Sequence, residues 1–486
     1  MSLTSPAFFA FLAVTIVAFH LSLSVAYRRL VLAAATAVFV ASYLDDVSEA
    51  LPLLGFLALG YASLQVVQAR RTGATLTVGV VAVLLGYIYL KRFSFTEALV
   101  PSLPFPYLIL GLSYILFRIL HVMVDAGSGN LRDRIGPLAF FRYTCNFLYL
   151  VSGPIQRYEE FAAADGIEAV PLDAEVVYGA FLRIVTGYVK FVVVAASANY
   201  LFIIVSAQIL GAQAPDVAPP DLMHLCFLYT AAAATYTAYL YFNFSGYMDI
   251  VIGVGRLLGQ TLPENFDRPF SAQSFLEFWQ RWHMTLSTWF KLYVFNPLLM
   301  FLMARVPAPE FTAYLGVAAF FVTFLVMGVW HGTTLTFVIY GLLMGAGASV
   351  NKLWQIACAK RLGRKRYKEL GQTVGYAYAA RGLTFTYFTL ALTCLWVPEL
   401  PDFLGLVSRL GVLGLAGSLV LLTFGFAASA FTLDRVSAWI AAHNHHAQVL
   451  STGLIYRNMM LAGRVLLVLA VASLFNKAPE FVYRAF

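Results

Sequence analysis

Long apolar stretches without charge alternate with short polar connections along the whole chain. A helix that spans the hydrocarbon core of a membrane needs about 20 predominantly apolar residues. Stretches of roughly that length or more without Asp, Glu, Lys or Arg occur at 1–27, 72–90, 98–117, 222–248, 311–351 and 410–433. Shorter ones, which span if flanking side chains reach the interface, occur at 30–44, 382–397 and 465–476. The pattern predicts an all-α polytopic membrane protein with about 11 to 13 membrane helices, some of them broken or re-entrant.

The composition supports the same class of protein. Of the 486 residues, 60% are hydrophobic and 12% are charged, whereas soluble globular chains carry about 25% charged residues. The longest polar stretches, near 157–175 and 352–381, are too short to form an independent soluble core. We therefore expect a single membrane domain over residues 1–486, with residues 382–486 forming the C-terminal membrane helices.

The basic residues indicate how the chain is oriented in the membrane. Arg28 and Arg29 directly follow the first apolar stretch, and no basic residue precedes it. This favours a retained helix rather than a removable signal peptide, with the N-terminus outside and the arginine pair in the cytoplasm. A basic pair at 91–92 breaks the alternation that follows, and three prolines come after it by residue 106. We expect a re-entrant or interfacial element near 90–106.

The formal net charge of +8 does not indicate nucleic-acid binding, because the basic residues concentrate in short connections, as membrane topology alone requires. The densest basic run is Lys360, Arg361, Arg364, Lys365, Arg366 and Lys368. We predict a cytoplasmic loop here that faces anionic lipid headgroups. The alternative is a docking patch for an acidic cytoplasmic partner.

Neither a metal site nor a disulfide is expected. The four cysteines lie far apart and form no C-x-x-C pair, which favours core or lipid-facing thiols. A histidine cluster at 443–446 lacks Cys, Asp or Glu at ligand spacing, and we interpret it as a loop.

His331 is the first candidate for chemistry. The 41 residues from Phe311 to Asn351 contain no acidic residue, Lys or Arg. As a helix they would extend about 60 Å, which is roughly two membrane crossings. His331 lies at the midpoint, so it falls at the predicted turn, on the outer half of the membrane. An ionisable side chain in such apolar surroundings is a functional candidate; the alternative is a histidine that only hydrogen-bonds a neighbouring helix.

A second candidate, His283, lies in an aromatic-rich segment at 275–297. The density of aromatic and charged residues there favours an interfacial or half-buried helix. On one helix Glu277 would share a face with Arg281, and Trp279 with His283. The alternative is a structural helix whose charges are solvated.

A third polar stretch, 241–249, follows about 20 apolar residues. It contains Asn243, Ser245 and Asp249. Unpaired polar groups are costly in lipid, so these side chains need partners inside the protein. A structural network is one interpretation and a role at the site is the other.

Five segments, in the same order, resemble those of the membrane-bound O-acyltransferase family, and in particular its bacterial DltB/AlgI-like branch. They are SGPIQRY at 152–158, NFSGYMD at 243–249, PENFDRPF at 263–270, FWQRWHMTLSTWF at 278–290 and WHG at 330–332. The segment EFVYRAF at 480–486 is a looser match to the aromatic ending of this branch. The similarity covers residues 105–352, and the segments around the two histidines are highly specific.

The resemblance implies a cone of helices around a central tunnel, with 105–352 as the family core. It implies that His331 is the principal catalytic histidine and His283 the second one. Residues expected to support the tunnel or the motifs are Trp330, Gly332, Trp282, Asn243, Asp249 and Arg157. The family often has a further histidine in a G-L-x-H-G segment, where this chain has Met344, so no role is carried over to that position.

The reaction implied is transfer of an acyl group, such as acetyl or D-alanyl, from a cytoplasmic thioester to a hydroxyl. It needs a base, assigned to His331, and stabilisation of the oxyanion, but no ATP and no bound cofactor. The donor would be acyl-CoA or a phosphopantetheine-linked acyl carrier protein, and an acidic carrier would suit the basic run at 360–368. The acceptor would be an extracytoplasmic envelope polysaccharide, with an extracytoplasmic acyl-transfer partner as a further expectation.

These expectations place a multi-pass protein in a bacterial cytoplasmic membrane. Two alternatives stay open from the sequence. A transporter or flippase without covalent chemistry would show ionisable residues in several helices and repeat symmetry. An acyltransferase with a protein or lipid acceptor would keep the same histidines.

Overall fold

The computed structural model describes residues 1–486 except 98, 100, 102, 104, 106, 132, 165–172, 211–219, 444–453 and 475–486. Within this part of the chain the structure is helical, and the one extended pairing is an isolated antiparallel bridge between Phe266 and Trp282. The prediction of an all-α membrane protein is confirmed.

The helices occur in the following order along the chain. They are α1 (Pro6–His20), α2 (Val25–Ala41), α3 (Leu51–Arg70), α4 (Gly73–Lys91), α5 (Leu112–Gly127), α6 (Pro137–Cys145), α7 (Tyr158–Ala164), α8 (Ala174–Tyr188), α9 (Ala196–Leu210), α10 (Leu222–Leu257), α11 (Phe275–Arg281), α12 (Met284–Phe290), α13 (Asn296–Arg305), α14 (Thr312–Trp330), α15 (Leu335–Gln372), α16 (Val374–Ala391), α17 (Thr393–Trp396), α18 (Leu400–His443) and α19 (Leu454–Leu474). π-Helical turns at Val189–Ala195 and Lys291–Phe295 join α8 to α9 and α12 to α13.

Several of these helical segments are long and apolar enough to cross a membrane. In the described residues there are seven: Val47–Arg70, Gly73–Lys91, Ala174–Leu210, Met284–Arg305, Pro309–Trp330, Leu400–Ala442 and Tyr456–Leu474. A helix satisfies its backbone hydrogen bonds internally, which the bilayer requires, so the chain is a multi-pass membrane protein. The total of about 11 to 13 membrane helices stays a prediction, since the seven candidates do not include the 15-residue α1 or the longer α10 and α15.

The chain divides into two compact units. The first consists of Met1–Gly187 with Tyr247–Glu264, and the second of Tyr188–Gly246 with Asn265–Pro479. The single membrane domain over 1–486 stays a prediction, as does the family core over 105–352 and the set of C-terminal membrane helices over 382–486.

In the first unit, α3, α4 and α5 pack against one another. A Cβ on Gly60 of α3 would lie 2.6 Å from Cδ1 of Ile119 on α5, so the small residue is what lets these helices approach closely. The fully buried Arg118 donates to the main-chain carbonyls of Thr144 and Tyr149. These bonds hold the connection that follows α6.

In the second unit, α14 and α15 form a close hairpin. A Cβ on Gly328 would lie 2.1 Å from the Cα of Gly341, and a Cβ on Gly341 would lie 2.5 Å from the carbonyl oxygen of Leu325. The two backbones are therefore in contact, and neither glycine position has room for a side chain. The chain reverses at 331–334, as the length of the apolar stretch predicted.

The prediction of a loop at the basic run is wrong. The run lies in α15, which is interrupted at Gly363 (φ 77°, ψ 153°), so residues 360–368 form two helical stretches that meet at a kink. Lys and Arg have good helix propensity, and glycine adopts a positive φ at little cost. All six basic side chains are exposed.

The irregular element predicted near 90–106 corresponds to a non-helical connection. The helix α4 ends at Lys91, where Arg92 is left-handed (φ 57°), and the described residues from there to the start of α5 are not helical. Residues 104 and 106 lie outside the described residues, as do residues 444–446 of the histidine cluster and the C-terminal segment 480–486.

Candidate active site

His331 lies at the C-terminal end of α14, where the hairpin turns. Its backbone N–H donates to the carbonyl of Gly328 at 3.1 Å, which ends the helix. Its side chain is buried, with 3% of the residue exposed. The rings of Trp330 and Tyr340 make edge contacts with the imidazole, at centroid distances of 4.8 and 5.6 Å. The hairpin thus places an imidazole among aromatic rings in the interior of the second unit.

Gly332 sets the shape of the turn beside this histidine. A Cβ at this position would lie 2.1–2.4 Å from three ring carbons of Phe337, which is itself buried with 3% exposed. Glycine therefore lets the phenyl ring pack directly on the backbone next to His331. The WHG segment needs its glycine for packing, a reason that spacing alone did not reveal.

His283 lies in the turn between α11 and α12. Its backbone is left-handed (φ 44°, ψ 52°) and it precedes the first residue of α12. Left-handed residues other than glycine are uncommon, and strain of this kind concentrates at functional sites. The imidazole is fully buried and makes an edge contact with the ring of Phe244 at 4.8 Å.

This turn corrects one prediction about the aromatic-rich segment and confirms another. Trp279 and His283 do not share a helix face, because α11 ends at Arg281 and the left-handed residue changes the direction of the chain. Glu277 and Arg281 lie on one helix and share a face as predicted, and the structure shows that they form an ion pair at 3.1 Å.

Asn265, from the PENFDRPF segment, is a site residue that sequence reasoning missed. Its side-chain oxygen Oδ1 lies 3.2 Å from Nδ1 of His283 and also accepts from the backbone N–H and the hydroxyl of Thr285 at 3.1 and 3.0 Å. The carbonyl of Asn265 accepts from the N–H of Met284 at 3.0 Å. The segment could be recognised as a motif from the sequence, but its pairing with the histidine turn needs the tertiary structure.

Trp282 belongs to a buried aromatic cluster that holds the same turn. Its ring stacks on Phe278 at 5.4 Å and makes edge contacts with Phe266 at 5.1 Å and Phe388 at 5.2 Å. Aromatic pairs in these geometries contribute about 0.5–1.5 kcal/mol each beyond burial. The cluster makes Trp282 a rigid support immediately before His283.

The two candidate histidines belong to the same compact unit, and both are buried. They lie close enough for the charge of one imidazole to influence the charge of the other. Ionisable groups buried at membrane depth are costly and concentrate at functional sites. Two of them, brought together from separate segments by two turns, form an arrangement suited to handling a proton.

Asn243 lies on α10 in the same unit and is fully buried. The next residue, Phe244, contacts the imidazole of His283. The helix thus carries a buried amide beside a residue that contacts the histidine turn.

Asp249 and Arg157 belong to the first unit, where each forms an ion pair. Asp249 accepts from Nε of Arg183 at 3.1 Å, and the same guanidinium binds both carboxylate oxygens of Glu264 at 2.6 and 2.5 Å. Arg157 pairs with the buried Asp125 at 3.4 Å. Arg183 was missed from the sequence because it lies in an apolar helix with no partner nearby in the chain.

Two other features bear on the chemistry. Met344 is completely buried and provides no ionisable group at the position where the family often has histidine. Among the described residues, no cluster of three or more His, Cys, Asp or Glu side chains could hold a metal ion.

The buried histidine turns lie in a multi-pass helical membrane protein, and the chain's similarity to known proteins agrees with this class. Residues 126–361 match the model of the membrane-bound O-acyltransferase family. The matched part contains both histidines and all five motif segments. The chain belongs to the membrane-bound O-acyltransferase family.

Similar curated proteins belong to the predicted DltB/AlgI-like branch. The chain is 30% identical over 239 residues to "Teichoic acid D-alanyltransferase" of Bacillus subtilis (strain 168), covering 48% of this chain and 56% of the relative. It is 29% identical over 336 residues to "Probable alginate O-acetylase AlgI" of Pseudomonas fluorescens, covering 67% and 61%. The matches thus span little more than half the length of these relatives.

Proposed function

We propose that this chain transfers an acyl group from a thioester to a hydroxyl, with His331 as the general base. The observation that carries the proposal is that His283 and His331 are both buried in one compact unit, each at a turn, within the segment that matches the family. General-base catalysis contributes about 10²–10⁴-fold to such reactions. The names of the relatives describe acyl transfer in both cases, which supports the same reaction class here.

In the proposed reaction, the imidazole of His331 takes the proton of the acceptor hydroxyl while the oxygen attacks the thioester carbonyl carbon. A C–O bond forms, and the tetrahedral intermediate collapses with cleavage of the C–S bond. The departing thiolate takes up the proton held by the imidazolium, so the histidine is regenerated. His283 orients the reacting groups or relays the proton, and Trp330, Gly332, Trp282 and Asn243 support the two turns.

The donor is proposed to be a cytoplasmic thioester, either acyl-CoA or a phosphopantetheine-linked acyl carrier protein, and no bound cofactor is proposed. The exposed basic side chains of residues 360–368 support an acidic carrier, because opposite charges steer association. Their position on helices at the Gly363 kink gives this patch a defined shape.

The acceptor is proposed to be an envelope polymer on the outer side of a bacterial cytoplasmic membrane, with an extracytoplasmic transfer partner. The named substrates of the relatives, teichoic acid and alginate, support a polymer hydroxyl. The N-terminus is proposed to be extracytoplasmic on the basis of the arginine pair at 28–29. An acceptor of protein or lipid is the alternative within the same chemistry.

The proposal is tested with purified wild type in nanodiscs and in sealed liposomes. The donors are acetyl-CoA and acylated carrier protein, each labelled in its acyl group. In the liposomes the donor is supplied on one side of the membrane and a soluble polysaccharide acceptor on the other. We expect thioester loss that matches label on the acceptor with at least one donor. Movement of intact substrate across the liposome without thioester loss would support the transporter interpretation and contradict the proposal.

A further inference from the structure

The hydrogen bonds around Asn265 determine which nitrogen of His283 carries the proton. A backbone N–H can only donate, so the atom of Asn265 that faces the N–H of Thr285 at 3.1 Å is the amide oxygen. The same oxygen faces Nδ1 of His283 at 3.2 Å and has no hydrogen to donate. Nδ1 must therefore be the donor, which leaves the lone pair of the neutral imidazole on Nε2.

We propose that Asn265 is a positioning residue that holds His283 as the Nδ1–H tautomer, so that Nε2 accepts a hydrogen bond or a proton from the reacting groups. The effect of this residue on rate rests on the proposed acyl transfer, whereas the tautomer does not. His283 is thereby assigned as an acceptor at the start of the reaction, which excludes a role in which Nε2 donates to the thioester carbonyl in the resting state.

The main chain fixes the amide in this place. The carbonyl of Asn265 accepts from the N–H of Met284 at 3.0 Å, and the N–H of Asp267 donates to the carbonyl of Arg281 at 2.9 Å. The two strands of chain also form the bridge between Phe266 and Trp282. The backbone that carries Asn265 is therefore paired with both sides of the histidine turn, and the side chain cannot rotate away without losing its own bonds to His283 and Thr285.

Burial makes the contact effective. Asn265 is 1% exposed and His283 is 0% exposed, so water does not compete for the amide oxygen or for Nδ1. Hydrogen bonds are stronger in such surroundings, and an unpaired buried polar group is correspondingly costly. A neutral amide holds the ring orientation without adding a charge, a division of roles also found where asparagine backs a histidine in papain-like proteases.

The test uses three variants of the full chain. Asn265→Leu keeps the approximate size but removes the acceptor oxygen. Asn265→Asp keeps an acceptor and serves as the conservative rescue. Asn146→Leu is the matched control, because Asn146 is also buried and its Oδ1 also accepts a backbone N–H, that of Leu148 at 3.0 Å, while its amide nitrogen faces Gln260 rather than a histidine.

The first measurement is the protonation of the His283 ring nitrogens by solid-state NMR of ring-¹⁵N-histidine protein in liposomes, with His283→Gln to assign the signal. We expect protonated Nδ1 and unprotonated Nε2 in wild type, Asn265→Asp and Asn146→Leu. In Asn265→Leu we expect loss of the single Nδ1–H form. A wild-type ring protonated at Nε2, or a ring in Asn265→Leu that matches wild type, would overturn the proposal.

The second measurement is acyl transfer by the same samples with the donor that wild type accepts. We expect Asn265→Leu to lower kcat by about 10²-fold, the size of effect that misplacement of a catalytic group produces, with little change in the KM for the donor. Asn265→Asp should recover part of the rate. If wild type transferred no acyl group, the proposed function would fail while the NMR result would still decide the tautomer.

Discussion

Gly332 allows a sharp test of how the turn beside His331 is built, through the substitution Gly332→Ala. The new Cβ would lie 2.1–2.4 Å from ring carbons of Phe337, well inside the van der Waals separation of about 3.5–4.0 Å for two carbons. The position has no positive φ, so the whole effect comes from this contact and not from backbone strain.

The expected magnitude follows from the burial of the ring. Phe337 is 3% exposed, so its ring is enclosed by the protein, and overpacking of a core costs about 1–3 kcal/mol. Because the phenyl ring and the turn that carries the imidazole must shift apart, we expect loss of activity together with loss of stability. A displacement of about 1 Å at a catalytic group can cost about 10²-fold in rate.

The assay combines thermal unfolding in one detergent with the initial rate of acyl transfer at a fixed temperature below the transition. Gly316→Ala is the matched control, since a Cβ at that position of α14 meets nothing within 4 Å and alanine has the better helix propensity. We expect Gly332→Ala to have a lower unfolding temperature and a lower initial rate than wild type. Gly316→Ala should stay near wild type in both or become more stable.

A double-mutant cycle with Phe337→Leu isolates the contact. The smaller side chain should relieve the clash, so that Gly332→Ala costs less stability in the Phe337→Leu background than in wild type. Additive effects of the two substitutions would contradict the proposed packing.

Two further predictions concern charged residues. Arg183→Lys should lose the bidentate bond to Glu264 and lower the free energy of unfolding by about 1–3 kcal/mol, measured by thermal unfolding; an unchanged transition would show that this network is dispensable. Reversal of Lys365 and Arg366 to Glu should lower kcat/KM for an acylated carrier protein, with the loss shrinking at high salt. Arg134→Glu, an exposed site in the first unit, is the control, and equal rates for the two reversals at low salt would refute carrier docking.

The class of fold and the turn at His331 could be predicted from the sequence because they depend on local pattern. A charge-free stretch of 41 residues, 311–351, is long enough for two crossings, and its midpoint is the turn seen in the structure. The ion pair between Glu277 and Arg281 was also predictable, since it lies within one helix.

The features that were missed depend on tertiary contacts or on single backbone angles. The role of Asn265 requires pairing between 265–267 and 281–284, which no periodicity reveals. The helix is interrupted at His283, which has a left-handed backbone although it is not a glycine. The sequence therefore has no glycine or proline at this position that would indicate the break. The basic run was expected to be a loop because clustered basic residues are typical of cytoplasmic connections between membrane helices. Lys and Arg also favour helix, and the run lies in α15 on both sides of the kink at Gly363.

The measurement that tests the central claim most directly is the rate of acyl transfer by His331→Ala beside wild type, with His224→Ala as the control. His224 is an exposed histidine near the start of α10, so its removal changes the same kind of side chain outside the candidate site. We predict that His331→Ala folds with a similar thermal transition and loses about 10²–10⁴-fold in kcat/KM, while His224→Ala retains the wild-type rate. Equal rates for wild type and a properly folded His331→Ala, with every thioester donor that wild type uses, would contradict the assignment of His331 as the base.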